Sequence, residues 1–407
     1  MSGAGSNAVL VINSGSSSLK IALFELGVRP GGEPGLAERD GGERRVAEGA
    51  VTRMGSAEAR AWLRAGNVRR EQGGSWAHHA GALNVVLKWL DELVAVRPPA
   101  VGHRLVHGGP HVTAPARIDA ELLTRLRAAV AFAPLHLPAA MAAIEAARAR
   151  FPEVPQVACF DTAFHTTMPE IARRLPIPSA LHDEGVRRYG FHGLSYEFVL
   201  SSLSSRAGEP LPARIVIAHL GSGASLVAVK DGKAIDTTMG FTPAGGVPMG
   251  TRTGDLDPGV LVYLARAKQL GPDAIERIVD RESGLLAVGG SSDMETLIDR
   301  SARDPGARLA IEMFGYAIRK AIGALSFALG GLDLLVFTGG IGEHVPEVRA
   351  LACGGLEAFG VALDRAKNER GEHLVHQAGS PCAIRVMATD EERVIARHTY
   401  ALLARAG

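Results

Sequence analysis

VLVINSGSSSLKIALF (Val9–Phe24) and IVIAHLGSGASLVAVK (Ile215–Lys230) repeat one pattern: a short apolar run, a turn of glycine and serine, and a second apolar run. Apolar runs of this length, bounded by turn residues, read as buried strands. Each segment predicts strand, turn, strand, and their recurrence at long spacing predicts two related halves of the chain. The second copy continues through KDGK, a two-residue hairpin, into AIDTTM as a third strand. Further on, LDLLVFTGGIGEH (Leu332–His344) is a strand that enters another glycine turn. Between the copies, Val101–Val106 reads as a strand running into HGGP, and Leu83–Val96 and Ala139–Arg150 read as helices.

Two more signals set helix starts. Asp257-Pro258 places a capping carboxylate before proline, and Thr389…Glu392 and Ser292…Glu295 both match a capping box. The final helix is expected to begin in the stretch Val386–Thr389. From Gly27 to Gly42 the chain is rich in glycine, proline and acid and reads as a surface loop, and the mixed Arg and Glu that follow read as a solvated face.

The chain has 407 residues, more than one hydrophobic core usually organises, so two domains are expected. With 46% hydrophobic and 21% charged residues it is globular, not disordered. A formal net charge of +1 lacks the basic excess that phosphate backbones attract, which argues against a nucleic-acid partner. Cys159, Cys353 and Cys382 form no CxxC pair, which suits a reducing, cytoplasmic setting without structural zinc. No apolar stretch is long enough to predict a membrane span, and the N-terminus has no signal-peptide pattern. The anomaly is glycine: 49 residues without a repeat point to tight turns and close approaches to a ligand.

Three glycine turns after strands could surround a polyphosphate with backbone N–H groups. At the first of them, Ser16, Ser18 and Lys20 would add hydroxyls and a cation, although a polar hairpin turn is the plainer reading of that segment alone. It is not a Walker A loop, since GKS or GKT is missing and a strand follows. Arg104 in GHRLVHGGP and Arg252 in MGTRTGDLDPG are flanked by glycine, which leaves room for a carboxylate or phosphate beside a guanidinium; each could equally be a surface ion-pair residue. Five histidines lie in loops, His107, His136, His165, His192 and His219; spacing alone does not separate phosphoryl donors from structural hydrogen-bonding residues. Glu392 is accounted for by the capping box and Asp293 by the other, which leaves Glu391, with Asn13 as an oxygen-bearing neighbour, for Mg²⁺.

Taken in order, VLVINSGSSSLK, GHRLVHGG, APLH, FDTAFHTTMP, RRYGFHG, HLGSGAS, MGFTP, MGTRTGDLDPG, FTGGIGEH and TDEE resemble the acetate kinase family, within the superfamily of acetate and sugar kinases, large heat-shock chaperones and actin. The resemblance covers nearly the whole chain. It implies an α/β fold of two duplicated ribonuclease-H-like domains, the actin-like ATPase fold, with a central interdomain cleft. The first domain would span 1–157, completed by a C-terminal helix over 386–407, and the nucleotide-binding second domain 158–385. It further implies a cytoplasmic homodimer that uses ATP/ADP with Mg²⁺ or Mn²⁺ and acetate.

Residue by residue, the resemblance assigns Asn13 and Glu391 to the metal, and Ser16, Ser18 and Lys20 to the phosphate-side loop. Arg104, Arg252, Asp161 and His192 match the catalytic positions, and His136 and His219 match phosphate-proximal histidines. Val106, Leu135, Phe191 and Pro243, with Arg104, match the acetate pocket. Leu220, Gly221, Ser222, Gly223, Asp293, Met294, Glu295, Gly339, Gly340, Ile341, Gly342 and His344 fall on the nucleotide side. Ser222, Gly245, Glu295 and His344 depart from the commonest family pattern, as do Leu137, Leu194 and Tyr196. Acetate is already ionised near neutral pH, so the implied kinase needs no general base and Asp161 is expected to orient a partner. Val106 as a pocket wall favours acetate over propionate. A short-chain acyl kinase on the same scaffold, or an ATP-driven clamp like actin, are the alternative readings.

Overall fold

The structure is a computed structural model and describes residues 7–15, 18–27, 43–76, 78–94, 97–207 and 210–404, with the side chains of 205–207 outside that description. Ser16 and almost all of the loop expected over 27–42 therefore lie outside the described residues. The chain divides into two units, 1–163 with 201–208 and 390–407, and 164–200 with 209–389.

The first unit holds a sheet of eight strands: β1 (Ala8–Ser14), β2 (Leu19–Leu26), β3 (Glu43–Thr52), β4 (Ala59–Ala65), β5 (Val68–Gly74), β6 (Ala100–Leu105), β7 (Ala116–Arg117) and β8 (Gln156–Phe160). Its order is β5-β4-β3-β2-β1-β6-β8-β7. β1 is buried along its whole length, as its continuous apolar run requires of a central strand. The helix His79–Leu93 buries Ala82, Leu83, Val86, Leu87 and Leu90 in one cluster with Leu10, Ile12, Ile21 and Leu23 of β1 and β2. Gly102 of β6 gives the helix Glu391–Ala404 close access to the sheet, because a Cβ there would meet Ile395 Cγ2 at 2.7 Å.

The second unit holds β9 (Arg214–Leu220), β10 (Ala224–Lys230), β11 (Lys233–Thr237), β12 (Leu334–Thr338) and β13 (Ala383–Val386), ordered β11-β10-β9-β12-β13. The KDGK hairpin forms as read, with Asp231 and Gly232 at φ of 49° and 77°. The helix Pro305–Leu329 starts on the Asp304 carboxylate, ends at left-handed Gly330, and buries Ile311, Phe314, Ile318, Ile322 and Leu325 along one stripe.

The two sheets share one wiring. β1, β2 and β3 are antiparallel neighbours, as are β9, β10 and β11. Then β1, β6 and β8 run parallel, as do β9, β12 and β13. The fold is the duplicated α/β arrangement expected.

Several sequence expectations change in detail. The boundary at 157/158 cuts β8, which pairs with β6 inside the first sheet. Of the stretch expected to open the last helix, Val386 is the end of β13, parallel to β12, residues 387–389 connect without regular structure, and the helix begins at Glu391. Its cap is Asp390, whose carboxylate accepts from Arg393 N at 3.1 Å; a full negative charge at a helix N-terminus is a better cap than the Thr389 hydroxyl, which is buried without a hydrogen bond. The other capping box shifts the same way, with Asp293 as cap to the Thr296 N–H. Strands β3 to β5 had no sequence signal because their exposed sides carry the mixed charges read as a solvated face, including Arg44 paired with Glu25.

Candidate functional site

In the first unit, the register places Asn13 of β1 beside Arg104 of β6, and Asp161 follows the last residue of β8, so three parallel strands deliver three polar side chains at their carboxyl ends. That edge is where open α/β sheets bind ligands. Asp161 is fully buried and accepts from Arg104 Nε at 3.0 Å and Nη2 at 2.5 Å, a bidentate pair that fixes the guanidinium plane. Arg104 Nη1 reaches Asn13 Oδ1 at 3.4 Å, and Glu391 Oε2 lies 3.8 Å from Nε. Burial alone would loosen the guanidinium proton, but the charges of Asp161 and Glu391 outweigh it and raise the Arg104 pKa above its ordinary value.

The Asn13 amide donates to Glu391 Oε2 at 3.3 Å and to Glu392 Oε1 at 3.0 Å. Glu392 thus joins this cluster; its sequence signal, the acid run Asp390-Glu391-Glu392, was hidden by the capping-box reading. Two converging carboxylates suit a small hard cation, one that keeps several waters and is bound partly by phosphate; the Asn13 oxygen faces Arg104 and its NH2 the carboxylates, so the amide joins such a site by turning over. Among the described residues no group of three or more His, Cys, Asp or Glu forms an all-protein metal cage. Val106 is buried directly after β6, while Leu135 and His136 are half-buried just ahead of the helix Leu137–Arg150. Gly15 N donates to Ser18 O at 2.8 Å, closing the first turn, and Lys20, paired with Asn13 across β1 and β2, is exposed.

In the second unit the corresponding strand ends carry histidine and glycine. His219 lies opposite Thr338 in the β9 and β12 register; the turn Gly221–Gly223 follows β9, but where the sequence predicted a glycine turn after β12 the short helix Gly339–His344 begins directly at the strand end. Gly339 has φ of 76°, and a Cβ there would stand 2.7 Å from Leu220 O, so only glycine fits. The rings of His192 and His219 stack at 4.3 Å. His192 has φ of 58°, a conformation uncommon for a side-chain-bearing residue. A Cβ on Gly223 would meet His192 Nε2 at 3.2 Å and Arg252 Nη1 at 3.7 Å, so the turn, the histidine and the arginine converge. Arg252 also donates to Pro243 O at 3.2 Å, and Phe191 O accepts from His165 Nε2 at 2.9 Å. His165 is thereby a structural histidine, its pKa lowered by burial to about 4.

A cavity of about 640 Å³ is lined by Gly221, Ser222, Asp293, Met294, Glu295, Gly340, Ile341 and His344, within the range of small-molecule pockets. Ile298 and Val345–Glu347 also line it, residues for which the sequence offered no motif. Buried Arg349 donates to the carbonyls of Gly342 and Glu343, each at 2.9 Å, and holds the end of the helix Gly339–His344.

The sequence profile of the acetokinase family matches residues 8–397. An acetate kinase from a Sulfurovum species is 40% identical over 98% of this chain and 99% of its own length. The crystal structure of Porphyromonas gingivalis acetate kinase superimposes with a TM-score of 0.82 at 36% identity, covering 98% of this chain and 100% of that one. A propionate kinase from Francisella tularensis superimposes with a TM-score of 0.87 at 33% identity, covering 97% of this chain and 99% of that one. With a shared duplicated sheet topology and identity at this level over nearly the full length, the chain belongs to the acetokinase family.

Proposed function

We propose that this chain transfers the γ-phosphoryl group of ATP to acetate, reversibly, giving acetyl phosphate and ADP. The observation that carries the site assignment is the bidentate Asp161–Arg104 pair set beside Asn13, Glu391 and Glu392: a rigid cation next to a cluster of oxygen donors. Both Asp161 oxygens are engaged by Arg104, so Asp161 orients Arg104 and does not take up a proton. Acetate reacts as the anion, and catalysis is positioning and charge stabilisation. Arg104 binds the carboxylate, and Val106, Leu135, Phe191 and Pro243 receive the methyl group. Arg252 and the Nε2 of His192 stabilise the oxygens of the transferring phosphoryl, with His136, His219, Ser16, Ser18 and Lys20 at the phosphates. The residues lining the 640 Å³ cavity hold the nucleotide. Asn13, Glu391 and Glu392 would hold Mg²⁺, or Mn²⁺ with the same oxygen donors, which when bound neutralises phosphate charge.

Trapping with hydroxylamine tests the reading: acyl hydroxamate should accumulate with ATP, Mg²⁺ and acetate, whereas ATP hydrolysis without it would mean a clamp. Arg252→Ala should collapse turnover far more than it raises KM for ATP, and near-normal turnover would refute its role. The likeness to a propionate kinase favours a second reading, a preference for a longer acyl chain. Comparing acetate, propionate and butyrate decides it, with a propionate preference overturning Val106 as the limiting wall. We further propose a cytoplasmic homodimer without nucleic-acid partners. Exposed Val260, Leu261, Val262 and Tyr263 on the helix Pro258–Arg266 support the dimer, and the net charge of +1 the lack of nucleic acid. Among the described residues no helix is long and apolar enough to cross a membrane.

A further inference from the structure

The two stacked imidazoles of the second unit are each met at Nδ1 by a serine hydroxyl: Ser225 at 2.8 Å from His192, and Ser195 at 2.8 Å from His219. Ser225 is fully buried on β10, where it faces His219 in the register with β9. Its hydroxyl has a second partner, the phenol of Tyr196, a fully buried residue of the helix Gly193–Ala207. The Tyr196 ring is held edge-on to His165 at 5.7 Å and tilted against Phe164 at 5.8 Å. Tyr196 is one of the positions that departs from the common family pattern, and nothing in the proposed reaction has yet used it.

Proton counting sets the direction of this chain. A phenol is a stronger acid than an alkyl hydroxyl and its oxygen a poorer acceptor, so Tyr196 donates to Ser225. Ser225 has a single proton, and it goes to Nδ1 of His192. A neutral imidazole carries one N–H, so when Nδ1 accepts, Nε2 is the donor. Nε2 is the nitrogen facing the Gly221–Gly223 turn, 3.2 Å from the place a Gly223 Cβ would occupy.

We propose that Ser225 and Tyr196 are positioning residues: the Tyr196–Ser225–His192 relay fixes the His192 tautomer with its proton on Nε2 and holds the ring against the strain of its left-handed backbone. The relay rests on the proposed kinase reaction, because an Nε2–H donor matters to turnover only where His192 meets a phosphoryl oxygen. Ser225 and Tyr196 touch no reacting atom and act through His192.

Tyr196→Phe keeps the ring and removes the hydroxyl, Ser225→Ala breaks the relay, and Ser225→Thr restores a hydroxyl. Losing one and then both supporting hydrogen bonds should lower kcat about tenfold for Tyr196→Phe and about 100-fold for Ser225→Ala, with KM for ATP and acetate within about twofold of the parent. The double variant should match Ser225→Ala alone, because Tyr196 works through Ser225. Ser225→Thr should recover most of kcat. Nitrogen NMR of histidine-labelled protein near neutral pH should find the His192 proton on Nε2 in the parent and shared between the Nε2–H and Nδ1–H tautomers in Ser225→Ala. A parent proton on Nδ1, losses that multiply in the double variant, or an unchanged kcat in Tyr196→Phe would each overturn the relay. The NMR readout needs no substrate, so it tests the relay even if the parent protein makes no acyl phosphate, a result that would sink the kinase reading alone.

Discussion

Replacing Asp161 with alanine removes one half of a buried ion pair and leaves the other in place. Asp161 has no exposure and the Arg104 side chain only 15%, so the guanidinium would stay largely out of water. The nearest remaining carboxylate is Glu391, 3.8 Å from Nε. Breaking a buried pair from one side costs about 3 to 5 kcal/mol, and Glu391 with the residual exposure puts this case near 3 kcal/mol. For a unit of this size that lowers Tm by roughly 6 to 12 °C. Removing both charges, as Arg104→Met with Asp161→Ala, leaves no buried guanidinium without its partner, only Glu391 and Glu392, which keep the Asn13 amide, and should return stability to within about 1 kcal/mol of the parent, while acyl hydroxamate formation stays abolished. Scanning calorimetry of the parent, both single variants and the double variant closes the cycle. Asp161→Ala melting with the parent, or a double variant as unstable as the single one, would refute Asp161 as the counter-charge of Arg104. Either result would mean that solvent, not Asp161, compensates Arg104.

Three further outcomes follow from the geometry. Glu392→Gln removes a carboxylate 3.0 Å from the Asn13 amide and should raise the Mg²⁺ concentration for half-maximal hydroxamate formation about three- to tenfold, an unchanged Mg²⁺ titration excluding Glu392 from the cation site. His103 and His165 both have pKa values lowered by burial to about 4, partly offset by their hydrogen bonds, so the folded chain keeps them neutral where the unfolded chain takes up protons. Stability should therefore be full above about pH 6.5 and fall as pH drops toward 4, by roughly 3 kcal/mol per histidine, and urea midpoints that stay flat from pH 7 to pH 5 would contradict it. Gly223→Ala should lower kcat about tenfold with little change in Tm, because the new methyl crowds His192 Nε2 at 3.2 Å and shifts that ring; parent-like turnover would mean that His192 does not need its present place.

What could be read from the sequence was the part written in short-range patterns. The twin strand-turn-strand segments, the KDGK hairpin and the Asp257 helix start depend on neighbours in the chain, and each formed as read. The arginine-aspartate pair could not be read that way: Arg104 and Asp161 are 57 positions apart, and only the parallel pairing of β6 with β8 brings them together. Both capping boxes failed by one residue for a common reason. A four-residue motif does not say which of two adjacent oxygen-bearing residues takes the cap, and at both sites the aspartate displaced the hydroxyl. That one-residue slip also hid Glu392, whose side chain was assigned to its own helix when it reaches Asn13 of β1. Tyr196 was visible only as a departure, because its partner Ser225 is 29 residues downstream on another element.

The same wiring in both units carries different chemistry at its strand ends, and the side-chain requirements explain why. At the ends of β1, β6 and β8 the polar groups are long, charged and mutually neutralising, so each one is oriented by another: Asp161 by Arg104, Arg104 by Asn13, Asn13 by the two glutamates. Charges held in this way keep their places without a ligand. At the ends of β9 and β12 the working groups are imidazole rings, bare backbone and the single cation Arg252, with no carboxylate among them to orient the others by charge. Hydroxyls at Ser195, Ser225 and Tyr196 supply the orientation there, and left-handed backbone at His192 and Gly339 supplies the direction. A substitution in the first unit should therefore be compensable by a matching change of charge, as in the Arg104 and Asp161 pair. One in the second should not, because a hydroxyl relay has no partner of opposite sign to restore it.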